Sequence, residues 1–162
     1  MFRAAVAGHI CADLCPKLTG DEQILPGAIV AVGPLTVRPG GCVANTGLDL
    51  CLLGASVQLV ADIGDDELGS SLVHLLSEPR LDCQGIRRVR GATTSYSLVF
   101  EAPCRDRAFW HYVGANAFFD GARVVPHDVD LIHLGYPATL PAMYAAGVSP
   151  CGHCWREFAR PA

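Results

Sequence analysis

The spacing of apolar residues along the chain alternates between the patterns typical of strands and of helices. Apolar runs over Ala4–Ile10 and Ser56–Ile63 predict two buried strands. Apolar positions recur with helical spacing over Val43–Leu53 and again over Asp66–Ser77. A further short strand is predicted at Leu131–Leu134. Because neighbouring parallel strands need a helical crossover, this order predicts an α/β fold with a parallel sheet.

Two further segments have the pattern of exposed β structure. From Thr93 to Phe100, large apolar or aromatic side chains alternate with mostly smaller ones. After a turn-like segment the aromatic run Phe109–Tyr112 follows, and together the two segments predict an antiparallel hairpin. Residues 27–37 also look extended, so the two segments predict a small β appendage that projects from the α/β body. Such an appendage is suited to covering a ligand, and the aromatic run would either serve that closure or pack within a sheet.

Composition places the chain among folded proteins without a strong electrostatic field. Of its 162 residues, 51% are hydrophobic and 17% are charged, which excludes disordered and collagen-like classes. The net charge of -4 argues against nucleic acid and anionic lipid as partners. No apolar stretch approaches the about 18 residues of a membrane span, and no leader pattern is visible, so we expect a cytoplasmic protein. In that compartment its eight cysteines are expected to be thiols.

A Gly-Gly turn that feeds directly into the first predicted helix is the most informative segment for chemistry. Gly40 and Gly41 allow the backbone to approach a ligand closely, and Asn45 in the first helical turn offers a donor and an acceptor. Asp13 follows the first predicted strand, where a carboxylate at the strand mouth can accept hydrogen bonds from two hydroxyls. These residues suit a polyhydroxy ligand, although a turn and a helix cap would use the same types.

Other polar residues have a structural interpretation. We expect Asp65 to cap the second helix, with Asp66 and Glu67 placing negative charge beside its N-terminus. We predict no metal site, because the histidines are dispersed without metal-ligand spacing, and we assign them no chemistry. Five of the six histidines are meant: His9, His74, His111, His127 and His133.

The order of these glycine- and asparagine-bearing segments resembles that of the ribokinase (PfkB) family of carbohydrate kinases. The resemblance covers about residues 4–146, and it implies a partial ribokinase-like fold: a Rossmann-type sheet with helices and a small β lid. The lid would use segments near residues 23–39 and 92–113; in this family it covers the sugar and often contributes to dimer contact. The matching segments are Gly8–Asp13 (GHICAD), Gly40–Asn45, Gly54, Gly64–Gly69 and Tyr112–Asn116.

The resemblance also implies a site and a reaction. Asp13, Gly40, Gly41, Asn45 and Asn116 would bind a sugar or sugar-like polyol, and inositol, a ketose phosphate or a nucleoside all remain open as substrates. The family transfers phosphate from ATP, with Mg²⁺, to a hydroxyl of such a substrate. A homodimer through the β lid is the protein partner that the resemblance implies.

Two motifs that these kinases carry in their C-terminal half are missing from the 162 residues. The sequence contains neither Gly-x-Gly-Asp, which holds the transferring phosphate and supplies the base, nor the magnesium-related Asn-x-x-Glu. The periodic pattern also stops beyond Gly147. We therefore expect residues 1–147 to be the N-terminal sugar-binding part of a truncated or frame-shifted kinase, and residues 148–162 to be a tail unrelated to the family. Such a chain would bind neither ATP nor Mg²⁺ tightly, and we predict no catalytic residue in it.

Three interpretations from other classes compete with the kinase half. The tail holds Cys151-Gly152-His153-Cys154, a redox motif, but the thioredoxin-type fold that it needs has no room there. The same residues would not complete a four-ligand zinc site. A dinucleotide-binding domain is disfavoured because Gly8 stands without the further glycines that admit a pyrophosphate. A non-catalytic sugar-binding or dimerising module remains the main alternative.

Overall fold

The computed structural model describes residues 1–20, 22–23, 25–124 and 128–145, and it arranges them in two main sheets with short helices. The strands and helices follow one another as β1 (Arg3–Gly8), β2 (Cys11–Pro16), β3 (Leu35–Gly40), α1 (Gly41–Leu52), β4 (Ser56–Gly64), α2 (Glu67–Leu75), β5 (Leu81–Asp82), β6 (Ile86–Val89), β7 (Tyr96–Phe100), β8 (Ala108–Tyr112), a 3₁₀ helix (Gly114–Phe118), β9 (Leu131–Gly135), a second 3₁₀ helix (Pro137–Thr139) and α3 (Pro141–Ala145).

A parallel sheet forms the body of the fold, in the order β5-β4-β1-β9, with β6 paired to the C-terminal part of β4. β1 and β4 are largely apolar and almost entirely buried, which is typical of central parallel strands. The main core joins Val6 of β1, Leu59 of β4 and Val43 of α1, all of them inaccessible to solvent. The α/β class is therefore confirmed. The strands predicted in the regions of β1, β4 and β9 are confirmed as well.

A second sheet, which we call the lid sheet, has the order β3-β2-β7-β8. β7 and β8 pair antiparallel with Ser97 opposite His111, so the predicted hairpin is confirmed. β2 pairs antiparallel with β3 and parallel with β7. The extended segment predicted at residues 27–37 becomes a strand only from Leu35 onward. Residues 28–34 form no regular element, and Gly33 instead donates its amide to the Lys17 carbonyl at 2.8 Å.

Asp13 lies within β2 and not in a loop at the mouth of β1, which corrects the expectation from the sequence. β1 ends at Gly8, where a φ of +119° turns the chain out of the parallel sheet. A Cβ at Gly8 would lie 2.5 Å from the Gly135 carbonyl oxygen, so this crossing also needs a residue without a side chain. The chain then enters the lid sheet at Cys11, so β2 occupies residues that the sequence analysis placed after the first strand.

The ends of α1 and α2 show which residues start and stop each helix. α1 ends just ahead of Gly54, whose φ of +93° is a common helix stop, as predicted. α2 is capped by Asp66 and not by Asp65, which is a second correction. The Asp66 side chain accepts a hydrogen bond from the Gly69 amide at 2.8 Å, and its own backbone is extended, as a capping residue requires. Asp65 is exposed one position earlier.

A buried ion cluster fastens β4 to β6 and to the segment after the first 3₁₀ helix. The Asp62 carboxylate is fully buried, and Arg87, its register partner on β6, donates to it at 2.6 Å and 3.0 Å. Arg123 contacts the same carboxylate and also donates to the backbone carbonyls of Gly85 and Ala61. A buried charge with two cationic partners is the arrangement under which burial of a carboxylate is tolerated.

Three expectations from the sequence concern membrane spans, the tail and the cysteines. Among the helices that the structure describes, none combines the length and the apolar character of a membrane span. The predicted tail at residues 148–162, with Cys151 and Cys154, lies outside the described residues. All the described cysteines are free thiols, as expected: Cys11, Cys15, Cys42, Cys51, Cys83 and Cys104.

Candidate functional site

A cavity of about 380 Å³ opens where the end of β1, the start of α1 and the lid sheet meet. It lies above the carboxyl ends of the parallel strands, which is where ligands bind in open α/β sheets. Polar and aromatic side chains share its walls. The lining residues are His9, Cys11 and Asp13 from the crossing into β2, Gly41 and Asn45 from α1, Ser97, Arg107, Phe109 and His111 from the hairpin, and Tyr136 and Thr139 after β9.

Three of the five site residues predicted from the sequence line this cavity: Asp13, Gly41 and Asn45. Asn45 is exposed on the first turns of α1, and Asp13 is half-buried on β2. Within the described part of the chain, the Asp13 carboxylate has one hydrogen bond, from the Cys11 thiol at 3.3 Å, so it keeps acceptor capacity for a ligand. Gly40 adjoins Asp13, and a Cβ there would collide with the carboxylate.

The fifth predicted residue, Asn116, lies beneath the cavity and not in its wall. It is fully buried, and both halves of its amide are bonded to the backbone of Ile10. The Ile10 amide donates to Asn116 Oδ1 at 3.2 Å, and Asn116 Nδ2 donates to the Ile10 carbonyl at 2.8 Å. Asn116 therefore holds the crossing between β1 and β2, and with it the neighbouring side chains of His9 and Cys11, against the 3₁₀ helix that follows β8.

The backbone at Gly41 fits closely against His9. Gly41 has a φ of +82°, and a Cβ there would lie 2.6 Å from the His9 carbonyl oxygen and 2.7 Å from His9 Nδ1. The same carbonyl accepts a hydrogen bond from the Val43 amide at 3.1 Å, which ties the first turn of α1 to the end of β1. The second glycine of the Gly-Gly turn thus positions a cavity residue as well as leaving space for a ligand.

Two histidines that the sequence showed as dispersed meet in the cavity wall. His9 Nε2 and His111 Nε2 are 3.2 Å apart, although 102 positions separate them in the chain. His111 Nδ1 lies 3.1 Å from the Ser97 hydroxyl, and that hydroxyl lies 3.7 Å from the Cys11 sulfur. The sequence offered no signal for this meeting, because it depends on the pairing of β7 with β8 and on the crossing of the chain between sheets.

Burial sets the protonation of this cluster. Desolvation, together with the neighbouring His111, lowers the pKa of His9 to about 4, and desolvation also lowers the pKa of His111. Both imidazoles are therefore neutral at pH 7. Desolvation raises the pKa of the Cys11 thiol far above its usual value, with a further contribution from Asp13. His9 Nδ1 is buried and has no hydrogen-bond partner among the described residues.

The outer rim of the cavity adds a cation and an aromatic ring. The Arg107 guanidinium lies 5.7 Å from the centre of the Phe109 ring, and both side chains line the cavity from the hairpin. Tyr136 approaches from the other side with its ring 5.9 Å from that of His9, and its backbone is left-handed with a φ of 52°. A carboxylate, an amide, a guanidinium and ring faces together can bind a small polyol, whether or not it carries an anionic group.

The described residues do not fit Mg²⁺ and ATP. A nucleotide-bound Mg²⁺ takes carboxylate ligands together with phosphate oxygens. The carboxylates of Asp62 and Asp66 already have partners within the protein. Asp62 is bound by two arginines, and Asp66 caps the N-terminus of α2. The only asparagines are Asn45 and Asn116, and neither begins an Asn-x-x-Glu sequence.

Comparison with protein families gives a match to the pfkB family carbohydrate kinases over residues 1–142. Among curated proteins, the chain is 31% identical over 112 residues to a 2-dehydro-3-deoxygluconokinase of Thermoproteus tenax, covering 67% of this chain and 33% of that protein. It is 30% identical over 111 residues to the probable fructokinase-4 of Arabidopsis thaliana, covering 68% of this chain and 32% of that protein. The chain thus spans about a third of the length of these curated relatives.

Solved structures agree with this assignment at the level of the fold. A ribokinase of Cryptococcus neoformans in complex with ADP superposes with a TM-score of 0.67 at 23% identity, covering 94% of this chain and 49% of that chain. The fructokinase of Halothermothrix orenii gives a TM-score of 0.68 at 20% identity, covering 91% of this chain and 53% of that chain. The predicted ribokinase-like fold is therefore confirmed for the part that the chain covers. The family match over most of its length establishes that the chain belongs to the pfkB family of carbohydrate kinases.

Proposed function

We propose that this chain forms the sugar-binding part of an ATP-dependent carbohydrate kinase. The observation that carries the proposal is the cavity of about 380 Å³ in which Asp13, Asn45 and Gly41 converge from β2 and α1. Relatives named fructokinase and 2-dehydro-3-deoxygluconokinase point to a sugar or a sugar acid as the substrate class.

Each of these three residues has a distinct task in the proposed site. The Asp13 carboxylate accepts hydrogen bonds from two hydroxyls, which selects a polyol over a simple alcohol. Asn45 donates to one ring substituent and accepts from another, so it fixes the orientation of the sugar. The first turn of α1 begins at Gly41, where backbone amides have no partner within the helix. The Val43 amide is bonded to the His9 carbonyl, which leaves the amide of Gly41 to donate to a sugar oxygen.

The hairpin supplies closure in this proposal. Phe109 and His111 come from β8 and line the cavity from the same face of the lid sheet as Asp13. A lid that excludes water favours phosphoryl transfer, because bulk water would otherwise compete with the substrate hydroxyl for the phosphate. Asn116 is a positioning residue in this scheme, since it acts on the site through the backbone of Ile10.

The proposal is tested by thermal unfolding of the chain with fructose, ribose, 2-dehydro-3-deoxygluconate, inositol and a nucleoside. At a ligand concentration of about 100 times the Kd, binding adds about 2.7 kcal/mol to the free energy of unfolding, which is a rise in Tm of about 5–10 °C. Asp13→Asn should abolish the rise for the ligand that binds. Asp49→Asn is the matched control, because Asp49 is exposed on α1 and does not line the cavity.

Two outcomes would contradict the sugar-binding role. One is a folded chain whose Tm no member of the panel changes, and the other is an equal loss of the rise in Asp13→Asn and Asp49→Asn. The alternative function is a non-catalytic sugar-binding or dimerising module. It predicts a rise in Tm with the sugar but no sugar-dependent consumption of ATP by the same chain.

A further inference from the structure

We propose that His9, Cys11 and His111 form a binding site for a thiophilic divalent cation of the Zn²⁺ class. Their ligand atoms all lie within 4.8 Å of one another, and the two Nε2 atoms are 3.2 Å apart. Two imidazole nitrogens that bind one tetrahedral Zn²⁺ at about 2.0–2.1 Å are themselves about 3.3 Å apart. The two rings are therefore already at the separation that a shared cation requires. This inference goes beyond the proposed sugar site and does not depend on it.

The surroundings of the three residues resemble the outer shell of a metal site. Ser97 stands opposite His111 in the register of the hairpin, and its hydroxyl lies within hydrogen-bond distance of His111 Nδ1, at 3.1 Å. When His111 Nδ1 donates to that hydroxyl, His111 Nε2 has a lone pair directed at His9 Nε2, and a cation between the rings would replace the hydrogen bond that joins these two nitrogens at 3.2 Å. A hydrogen bond at the other ring nitrogen commonly fixes the tautomer of a metal-binding histidine. The Ser97 hydroxyl also lies 3.7 Å from the Cys11 sulfur, where it can donate to a thiolate.

The protonation states allow binding with a simple proton balance. Both imidazoles are neutral at pH 7, so their lone pairs need no deprotonation. Burial keeps Cys11 protonated in the absence of a cation. On binding, the S–H bond breaks and a sulfur–metal bond forms, while the proton leaves to solvent past the Asp13 carboxylate, which lies 3.3 Å from the sulfur. Nothing is oxidised or reduced in this step.

The donor set selects the class of cation. Two imidazoles and one thiolate suit Zn²⁺ and its Co²⁺ substitute, whereas Mg²⁺ and Ca²⁺ prefer oxygen ligands. Three protein ligands leave one position of a tetrahedron open, as in zinc sites that bind water or a substrate oxygen. The unpaired His9 Nδ1 is a cost, because binding at Nε2 places a proton on a buried nitrogen without an acceptor. We therefore expect a reversible site that a chelator empties, and not a site that the fold requires.

The test is a Co²⁺ titration of the full chain at pH 7 in the absence of sugar. The background carries Cys104→Ser, Cys151→Ser and Cys154→Ser, which removes one exposed thiol and two thiols of the tail. We expect one equivalent of Co²⁺ to produce the near-ultraviolet charge-transfer band of a cobalt thiolate. Excess Zn²⁺ should displace the Co²⁺, so that the band disappears.

Variants of the ligands and matched controls locate the site. Cys11→Ser should abolish the band, and His111→Gln should weaken Co²⁺ binding by more than about 100-fold, whereas Ser97→Ala should weaken it by about 10-fold. Cys15→Ser, on the same strand, and His74→Gln, exposed on α2, should leave it unchanged.

The outcomes separate this site from the sugar site and from misfolding. Circular dichroism checks that each variant folds, and the exposed His111 provides a second variant should the buried Cys11→Ser chain fail to fold. A folded background protein without a thiolate band overturns the proposal, as does a band that survives both Cys11→Ser and His111→Gln. Because no sugar is present, a chain that binds no polyol can still pass this test, and a chain that binds polyol can still fail it.

Discussion

At the scale of single residues, the second glycine of the Gly-Gly turn shows how one missing Cβ determines the geometry of the cavity. Gly41 combines a φ of +82° with a position at which a Cβ would meet both the carbonyl oxygen and Nδ1 of His9. The left-handed backbone is unfavourable for any residue with a side chain, whereas the overlap with His9 arises only at position 41. Gly91 has the left-handed backbone without such an overlap, since its φ is +77° and a Cβ there would meet nothing within 4 Å.

We expect Gly41→Ala to lower the free energy of unfolding by about 2–4 kcal/mol, because about 1–2 kcal/mol for the left-handed backbone adds to the overlap with His9. Gly91→Ala should cost only the backbone part. Urea unfolding of both variants measures the difference. Equal losses in the two variants would mean that His9 can move aside, so that the close fit at Gly41 does not hold the cavity wall in place.

At the scale of elements, the sequence predicted what depends on periodicity and missed what depends on pairing. β4, α1 and the hairpin β7–β8 lie close to their predicted positions, because an apolar face recurs along each of them. β2 was missed, because the residues after Ile10 were interpreted as a loop and their strand conformation depends on pairing with β3 and β7. The approach of His9 to His111 was also missed, because it depends on which strands become neighbours.

The same limit explains the exchange of Asp65 for Asp66 as the cap of α2. Both are acidic and adjacent, and only the tertiary structure distinguishes them. Asp66 accepts hydrogen bonds from the Gly69 amide at 2.8 Å, from the Thr94 amide at 2.8 Å and from the Thr94 hydroxyl at 2.5 Å. One carboxylate therefore joins the start of α2 to the segment that leads into β7. Partial desolvation raises the pKa of Asp66, but these hydrogen bonds outweigh it and the net pKa is below its usual value.

We predict a pH-dependent cost for Asp66→Asn. An asparagine offers one acceptor oxygen where the carboxylate uses two, so the variant should lose about 1–2 kcal/mol of stability at pH 7. Because the folded state lowers the pKa, the carboxylate stabilises the fold above the unfolded pKa of about 3.9, and this contribution is lost as the pH falls through the folded value. Urea unfolding should thus show that the difference in the free energy of unfolding between wild type and variant is smaller at pH 3 than at pH 7.

Asp65→Asn is the control for that experiment, because Asp65 is exposed one position before the cap. Its stability should stay within about 0.5 kcal/mol of wild type at both pH values. If Asp66→Asn lowers the free energy of unfolding by the same amount at pH 7 and pH 3, the role of the ionised carboxylate is contradicted. If Asp65→Asn lowers it equally, the effect belongs to the general negative charge at the helix N-terminus.

At the scale of the whole molecule, the lid sheet has a polar face toward the cavity and an apolar face on its other side. Register pairs place Asp13, Ser97 and His111 on the cavity face. The opposite face carries Leu98 and its register partner Trp110, which is 53% exposed. Three further aromatic side chains lie on the same face: Tyr96, Phe100 and Tyr112. Ring contacts tie these side chains together, with 4.8 Å between Phe100 and Trp110 and 5.5 Å between Tyr96 and Tyr112. An exposed apolar face of this kind typically marks an interaction surface.

We propose that this outer face of the lid sheet joins two copies of the chain into a homodimer. Trp110→Glu places a charge in the centre of that face, and sedimentation velocity over a concentration series should then show a monomer where the unmodified chain dimerises. Leu52→Glu is the matched control, because Leu52 is 85% exposed at the end of α1, away from the lid sheet, and should leave the dimer intact. Because Trp110 is half exposed, its replacement should leave the fold intact, which circular dichroism checks. An unmodified chain that stays monomeric throughout, or a dimer that Trp110→Glu preserves, would contradict a homodimer through this face.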